Sequence, residues 1–356
     1  MARILLLDPA NFTPAERTPW GGSRIAARKA SLGVRAASVV GEAWEVSVDP
    51  SFPSRVAGSQ RTLAEELAAQ PDAYLGAEAG AGGTALLLKW LDARERLSLQ
   101  IHPASDDPLL RAGESGKPEA WYVVVREEGA GIFFGLRSGA TRDDLRLMAA
   151  GHGGDGIESL LEFVPVEPGD FFVVDAGTPH AIGEGVFVVE PQLVTPGRSG
   201  VTYRYWDWGR RYDAAGNLSA GGSLRALQLD DALRVTNEVN AGAAWVASRR
   251  VRAGAPSVHE PLTSTPLAGP GSPFPSWPMS VWRLAGSGAA PVPRPGTLLA
   301  ISVLEGAVTL RAHGESPVRI PAGQSAVVPA AFAAVEAEGE GAHAIAAAVC
   351  SSALVP

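Results

Sequence analysis

Gln100 and His102 alternate with Leu99 and Ile101 in the stretch Leu97-Ser98-Leu99-Gln100-Ile101-His102-Pro103. As a strand it turns one apolar face inward and shows Ser98, Gln100 and His102 on the other. Glu119 follows in Gly116-Lys117-Pro118-Glu119-Ala120-Trp121, and His180 stands just beyond the turn Ala176-Gly177-Thr178-Pro179. Two imidazoles and a carboxylate suit zinc, and a neutral amide oxygen as fourth ligand leaves the site more positive than a second carboxylate would. Such a metal polarises a carbonyl or hydroxyl. A lone histidine after a strand is more often a core residue, so spacing alone leaves the site open.

The elements that must position these residues are mostly short strands. Ser38 to Ser47, Trp121 to Val125, Phe171 to Val174, Gly185 to Glu190 and Val201 to Trp208 are rich in β-branched and aromatic residues, and Ala85 to Leu91, an apolar run with one lysine embedded, reads as a buried strand. Thr62-Leu63-Ala64-Glu65 has capping-box spacing and predicts a helix to about Gln70, stopped by Pro71. Thr141 to Ala150, Ile157 to Leu161 and Leu229 to Val235 read as further short helices, with Gly151 stopping the first.

At 356 residues, with 46% hydrophobic residues, 41 Gly and 28 Pro, the chain is a turn-rich globular protein of mainly β class, and its length calls for two domains. A net charge of −8 argues against nucleic acid or an anionic membrane as bulk partner. A single cysteine, Cys350, leaves neither a disulfide framework nor a thiolate zinc site. The N-terminal apolar run is too short for a signal peptide and no later run approaches a membrane span, so a soluble cytoplasmic protein is expected. Lysine occurs only at Lys29, Lys89 and Lys117, against a background of arginine that a compositional bias would explain.

Pro168 to Gly177 overlays Ala322 to Ala331 without a gap, and the same register sets His180 opposite Ala334. Two copies of one β unit, only the first with ligand-type residues, is the simplest interpretation. A domain change near residues 238 to 258 divides the chain into residues 1–237, with the chemistry, and 238–356, without metal ligands.

Four segments carry a family resemblance: Leu97 to Pro103, Gly116 to Tyr122, Gly177-Thr178-Pro179-His180-Ala181-Ile182 and Thr202-Tyr203-Arg204. Together with the weaker Trp20-Gly21-Gly22 and Gly41-Glu42-Ala43-Trp44-Glu45, they resemble the type I phosphomannose isomerases, zinc-dependent cupins, from about Trp20 to Arg210. The resemblance implies a bicupin of two jelly rolls, with zinc (Zn2+) on Gln100, His102, Glu119 and His180. It puts the active-site arginine at Arg204, a motif lysine at Lys117, and phosphate-side residues at Lys89 and Ser98. The implied reaction interconverts mannose 6-phosphate and fructose 6-phosphate through an enediol, which needs an oxyanion stabiliser and a base. Arg204 suits the first role, and Lys117, Glu190 and a hydroxide on the metal all stay open for the second.

Competing readings are a non-catalytic sugar-binding cupin and an iron-dependent cupin oxygenase with His102, Glu119 and His180 as facial triad. Lys117 and Arg204 favour the isomerase, since an oxygenase has no evident need of them. Glu190 could equally cap a loop or pair with an arginine. Trp206 and Trp208 fit packing or cavity walls, and His152, His259, His313 and His343 fit surface or core roles. The thirteen residues between Glu190 and Arg204 and the Asp175 that precedes Ala176-Gly177-Thr178 depart from the family pattern.

Overall fold

A computed structural model describes residues 2–14, 17–151, 156–214 and 217–351; His152 lies outside them. The protein is mainly β, two jelly-roll units with a few short helices, as the sequence predicts. In the first unit a six-stranded sheet runs in the order Arg250–Arg252, Asp170–Val174, Glu119–Arg126, Val186–Leu193, Leu86–Asp92, Glu42–Val46. It faces a five-stranded sheet of Tyr203–Trp206, Leu99–Ile101, His180–Ile182, Gly131–Leu136 and Leu161–Pro165. Trp121, Val123, Phe172 and Val188 from the one sheet pack against Ile132, Phe134 and Ile182 from the other and fill the space between.

The second unit is built on long strands, Met279–Pro291, Leu299–Ala312 and Val335–Val349, paired in one seven-stranded sheet. The N-terminal strand Leu5–Leu6 joins this sheet by pairing with Ser325–Val328. Met279, Val281, Ala300, Val327, Ile345 and Ala347 of that sheet bury the back of the six-stranded sheet under Leu88, Trp90, Tyr122 and Val189. Leu86–Asp92 is therefore buried at every position, which is why it reads as an apolar run with Lys89 embedded in it rather than as an alternating one. In the overlaid segments Gly169 and Gly323 both adopt positive φ, 91° and 90°, each at the turn into a strand.

Differences from the predicted elements are local. Leu97, Ser98 and His102 lie outside the strand, which is confined to Leu99–Ile101. Likewise the continuous strand within Ser38 to Ser47 is Glu42–Val46, with Val40 adding a single bridge to Gly22. Pro71 ends the Leu63–Ala69 helix, whose capping box is present, but also opens a second one, Pro71–Leu75; a proline at the first helical position gives up a donor that had no partner anyway. Arg142–Gly151 ends on the glycine expected to stop it. His343 is a core residue: its Nε2 lies 2.9 Å from the Tyr122 hydroxyl between the two units. His259 and His313 are exposed. Among the described residues no helix is long and apolar enough to cross a membrane.

Candidate metal centre and substrate cavity

Strand register builds the site. Gln100 pairs with His180 on one side and with Arg204 on the other in the five-stranded sheet. In the facing sheet Glu119 pairs with Gln192, and Lys89 with Glu190. Lys89, Glu119, Glu190 and Gln192 occupy positions of the same parity as Leu91, Trp121 and Val188, so the barrel's apolar interior row continues as a polar one.

His102, Glu119 and His180 are buried, and one ligand atom of each falls within 4.8 Å of the others. Glu119 Oε2 is 3.2 Å from His102 Nε2, and its Oε1 is 3.3 Å from His180 Nε2. Both Nδ1 atoms face backbone carbonyls, Val201 O at 2.9 Å and Thr178 O at 2.8 Å. A carbonyl only accepts, so each Nδ1 carries the hydrogen and each Nε2 turns a lone pair toward Glu119. Burial first, and Lys117 second, push the His102 imidazole down to about 3. For Glu119, burial opposes ionisation, but the Lys117 ammonium 3.3 Å from Oε2, acting together with His102 and His180, holds the carboxyl well below its ordinary range. Lone pairs thus converge on an ionised carboxylate, while His102 Nε2 and Glu119 Oε1 have no hydrogen-bond partner. A divalent cation fits this donor set.

Gln100 stands beside the cluster with its Nε2 3.4 Å from His180 Nε2 and its Oε1 3.3 Å from the Ser98 hydroxyl. The expected amide-oxygen ligand therefore requires a half-turn of the Gln100 side-chain amide.

Beside the cluster opens a cavity of about 360 Å³ lined by Ser98, Gln100, Lys89, Lys117, Glu190 and Arg204, with Arg17 and Arg225 adding two further guanidiniums. All the site residues read from the sequence thus lie in the cluster or the cavity wall. Arg204 donates from Nε to the Ser98 hydroxyl at 3.2 Å. Glu190 accepts from Trp121 Nε1 at 2.9 Å, and its carboxyl is pushed up to about 7, by burial first and then by the charge of Glu119. Burial lowers the Lys89 ammonium, which lies 3.9 Å from Glu190 and over the Trp44 ring.

The long segment from Glu190 to Arg204 is a wall of the cavity rather than a free loop. Ser199–Gly200 pairs in parallel with Glu114–Ser115, and Val201 supplies the carbonyl that orients His102.

Residues 13–121 match the family model "Phosphomannose isomerase type I, catalytic domain". The mannose-6-phosphate isomerase of Streptococcus mutans is 32% identical over 296 residues, 82% of this chain and 83% of that protein. The chain belongs to the mannose-6-phosphate isomerase family. A second member, the mannose-6-phosphate isomerase ManA of Bacillus subtilis, is 38% identical over 151 residues, 42% of this chain and 43% of that one. The crystal structure of the mannose 6-phosphate isomerase from Bacillus subtilis superposes with a TM-score of 0.72 at 25% identity, covering 98% of this chain and all (100%) of the other.

Within this mannose-6-phosphate isomerase framework some site residues escape a sequence reading. Gln192 touches both Glu119 and Glu190, and its spacing of two from Glu190 was the available signal. Arg225 comes from a segment without strand periodicity and is aimed by Asp207, whose Oδ2 lies 3.5 Å from its Nε. Trp206 and Trp208 prove to be packing residues: Trp206 joins the cluster under Tyr205, and Trp208 donates to Leu97 O. Asp175 forms an ion pair with Arg249 at the turn that leads into His180.

Proposed function

We propose that this chain interconverts mannose 6-phosphate and fructose 6-phosphate through an enediol, with zinc as its metal. The observation that carries the reading is the His102–Glu119–His180 cluster in contact, through Lys117, Gln192 and Gln100, with the wall of a cavity that combines Lys89, Lys117, Arg204 and Arg225 with Glu190. Zinc held by His102, Glu119, His180 and a turned Gln100 would polarise the sugar oxygens at the reacting carbons.

The chain's own residues account for the remaining requirements. Lys89 and Ser98 hold the phosphate, and Arg225 adds positive charge to the same cavity. Arg204, kept in place by Ser98, neutralises the charge that develops on the enediolate. Glu190 takes the proton from C2 and returns it to C1: it lines the cavity, and a carboxyl near 7 both accepts and donates at neutral pH. Lys117 sets its ammonium against Glu119 and lends positive charge to the same end of the cavity.

The test is turnover of mannose 6-phosphate against unphosphorylated mannose by the zinc-loaded chain, with His102→Ala as control. Conversion of the phosphorylated sugar alone is the expected result. No turnover of either sugar would sink the isomerase and leave a sugar-binding module.

A further inference from the structure

We infer that Gln192 is a positioning residue that ties the metal carboxylate Glu119 to the proton-carrying carboxyl Glu190; this rests on the function proposed above. Gln192 is fully buried, and its Nε2 lies 2.8 Å from Glu119 Oε2 and 2.7 Å from Glu190 Oε2. An amide nitrogen carries two hydrogens, so one goes to each carboxylate. The reverse orientation would set the amide oxygen against both carboxylates, so the chemistry fixes which way the group points. Its Oε1 is then buried without a hydrogen-bond partner, which a side chain placed only for packing would not require.

Register explains why a glutamine does this. Gln192 is the cross-strand partner of Glu119 and sits two residues from Glu190 on the same face of Val186–Leu193. From there a side chain of this length reaches both groups. Trp121 Nε1 holds the other oxygen of Glu190 at 2.9 Å, so the two N–H donors together fix the plane of that carboxyl. The remaining lone pairs are free for the proton it carries. An ionised glutamate at 192 would have no hydrogen to give, and a methionine none at all.

The experiment compares Gln192→Met with the parent chain in two measurements, steady-state turnover of mannose 6-phosphate and the rate of zinc loss to a chelator without substrate. Gln192→Met is expected to lower kcat about tenfold or more with KM within about threefold, and to release zinc about tenfold faster, the scale on which second partners of metal ligands act. In a Glu190→Gln background the same substitution is expected to lower kcat by less than about twofold, because the group it positions is already gone, yet still to speed zinc loss. An equal fall in kcat in both backgrounds, or zinc loss at the parent rate, overturns the inference. Should Gln192→Met fail to fold, Gln192→Asn, too short to span both carboxylates, gives the same comparison. A parent chain that turns over no sugar defeats the proposed function instead, and unchanged zinc loss in the variant overturns the role of Gln192 even then.

Discussion

His102 Nε2 stands 3.2 Å from Glu119 Oε2 while Nδ1 of the same ring donates to the Val201 carbonyl at 2.9 Å. The ring therefore presents a lone pair to an ionised carboxylate, and burial keeps it from relieving the repulsion by protonation near neutral pH. A bound cation turns that repulsion into two favourable contacts. Zinc at about a thousand times its dissociation constant should stabilise the fold by roughly 4 kcal/mol. Scanning calorimetry should show Tm rising with zinc in the parent chain and most of that rise lost in His102→Ala. A zinc-independent Tm would contradict the assignment.

Glu190 must be ionised to accept the C2 proton, and its carboxyl lies at about 7. For a base the active fraction falls as pH drops through that value, so kcat/KM should decline about tenfold per unit on the acid side. The pH profile of Glu190→Gln should lose this limb along with about a hundredfold or more of kcat. An unchanged limb in the variant would assign the proton to another group.

Arg225 lines the cavity from a segment outside the metal-binding strands, held by the buried carboxylate of Asp207. Its charge is directed at an anionic substrate. Arg225→Met should raise KM for mannose 6-phosphate by about tenfold, the loss of one charge-assisted contact, and leave zinc content alone. Inorganic phosphate should weaken as a competitive inhibitor by a similar factor. A KM at the parent level would remove Arg225 from the binding surface.

Lys29, the lysine that the family resemblance did not absorb, is fully buried and contacts Glu45 Oε1 at 2.5 Å and Asn11 Oδ1 at 3.0 Å. Glu45 in turn accepts from Ser325 of the second unit at 2.6 Å. Lys29→Met would strand a buried carboxylate, which costs about 3–5 kcal/mol. Thermal unfolding should show Tm lowered accordingly, with KM at low temperature unchanged, and Lys29→Met combined with Glu45→Gln should recover part of the loss. A single variant as stable as the parent would show the pair to be dispensable.

The ligand-type residues were legible because strand alternation and turn chemistry are local: His102 two residues from Gln100, and His180 after Thr178-Pro179, can be read off one segment each. Leu229–Val235 was legible for the same reason. Gln192 was missed because its role depends on register with Glu119, a relation between strands that no single segment displays. Arg225 depends on Asp207 and on a hairpin of Arg211–Tyr212 with Ser223–Leu224, too short to leave a periodic signal. The capping box at Thr62 located a helix start, whereas Pro71 carried two meanings, stop and start, that only the packed chain separates.

The most direct measurement titrates zinc into metal-stripped protein while following conversion of mannose 6-phosphate to fructose 6-phosphate. Activity should rise in proportion to bound zinc and level off near one ion per chain, with Glu119→Gln remaining inactive throughout. Full turnover by the metal-free chain, or by Glu119→Gln, would contradict a metal-dependent isomerase built on His102, Glu119 and His180.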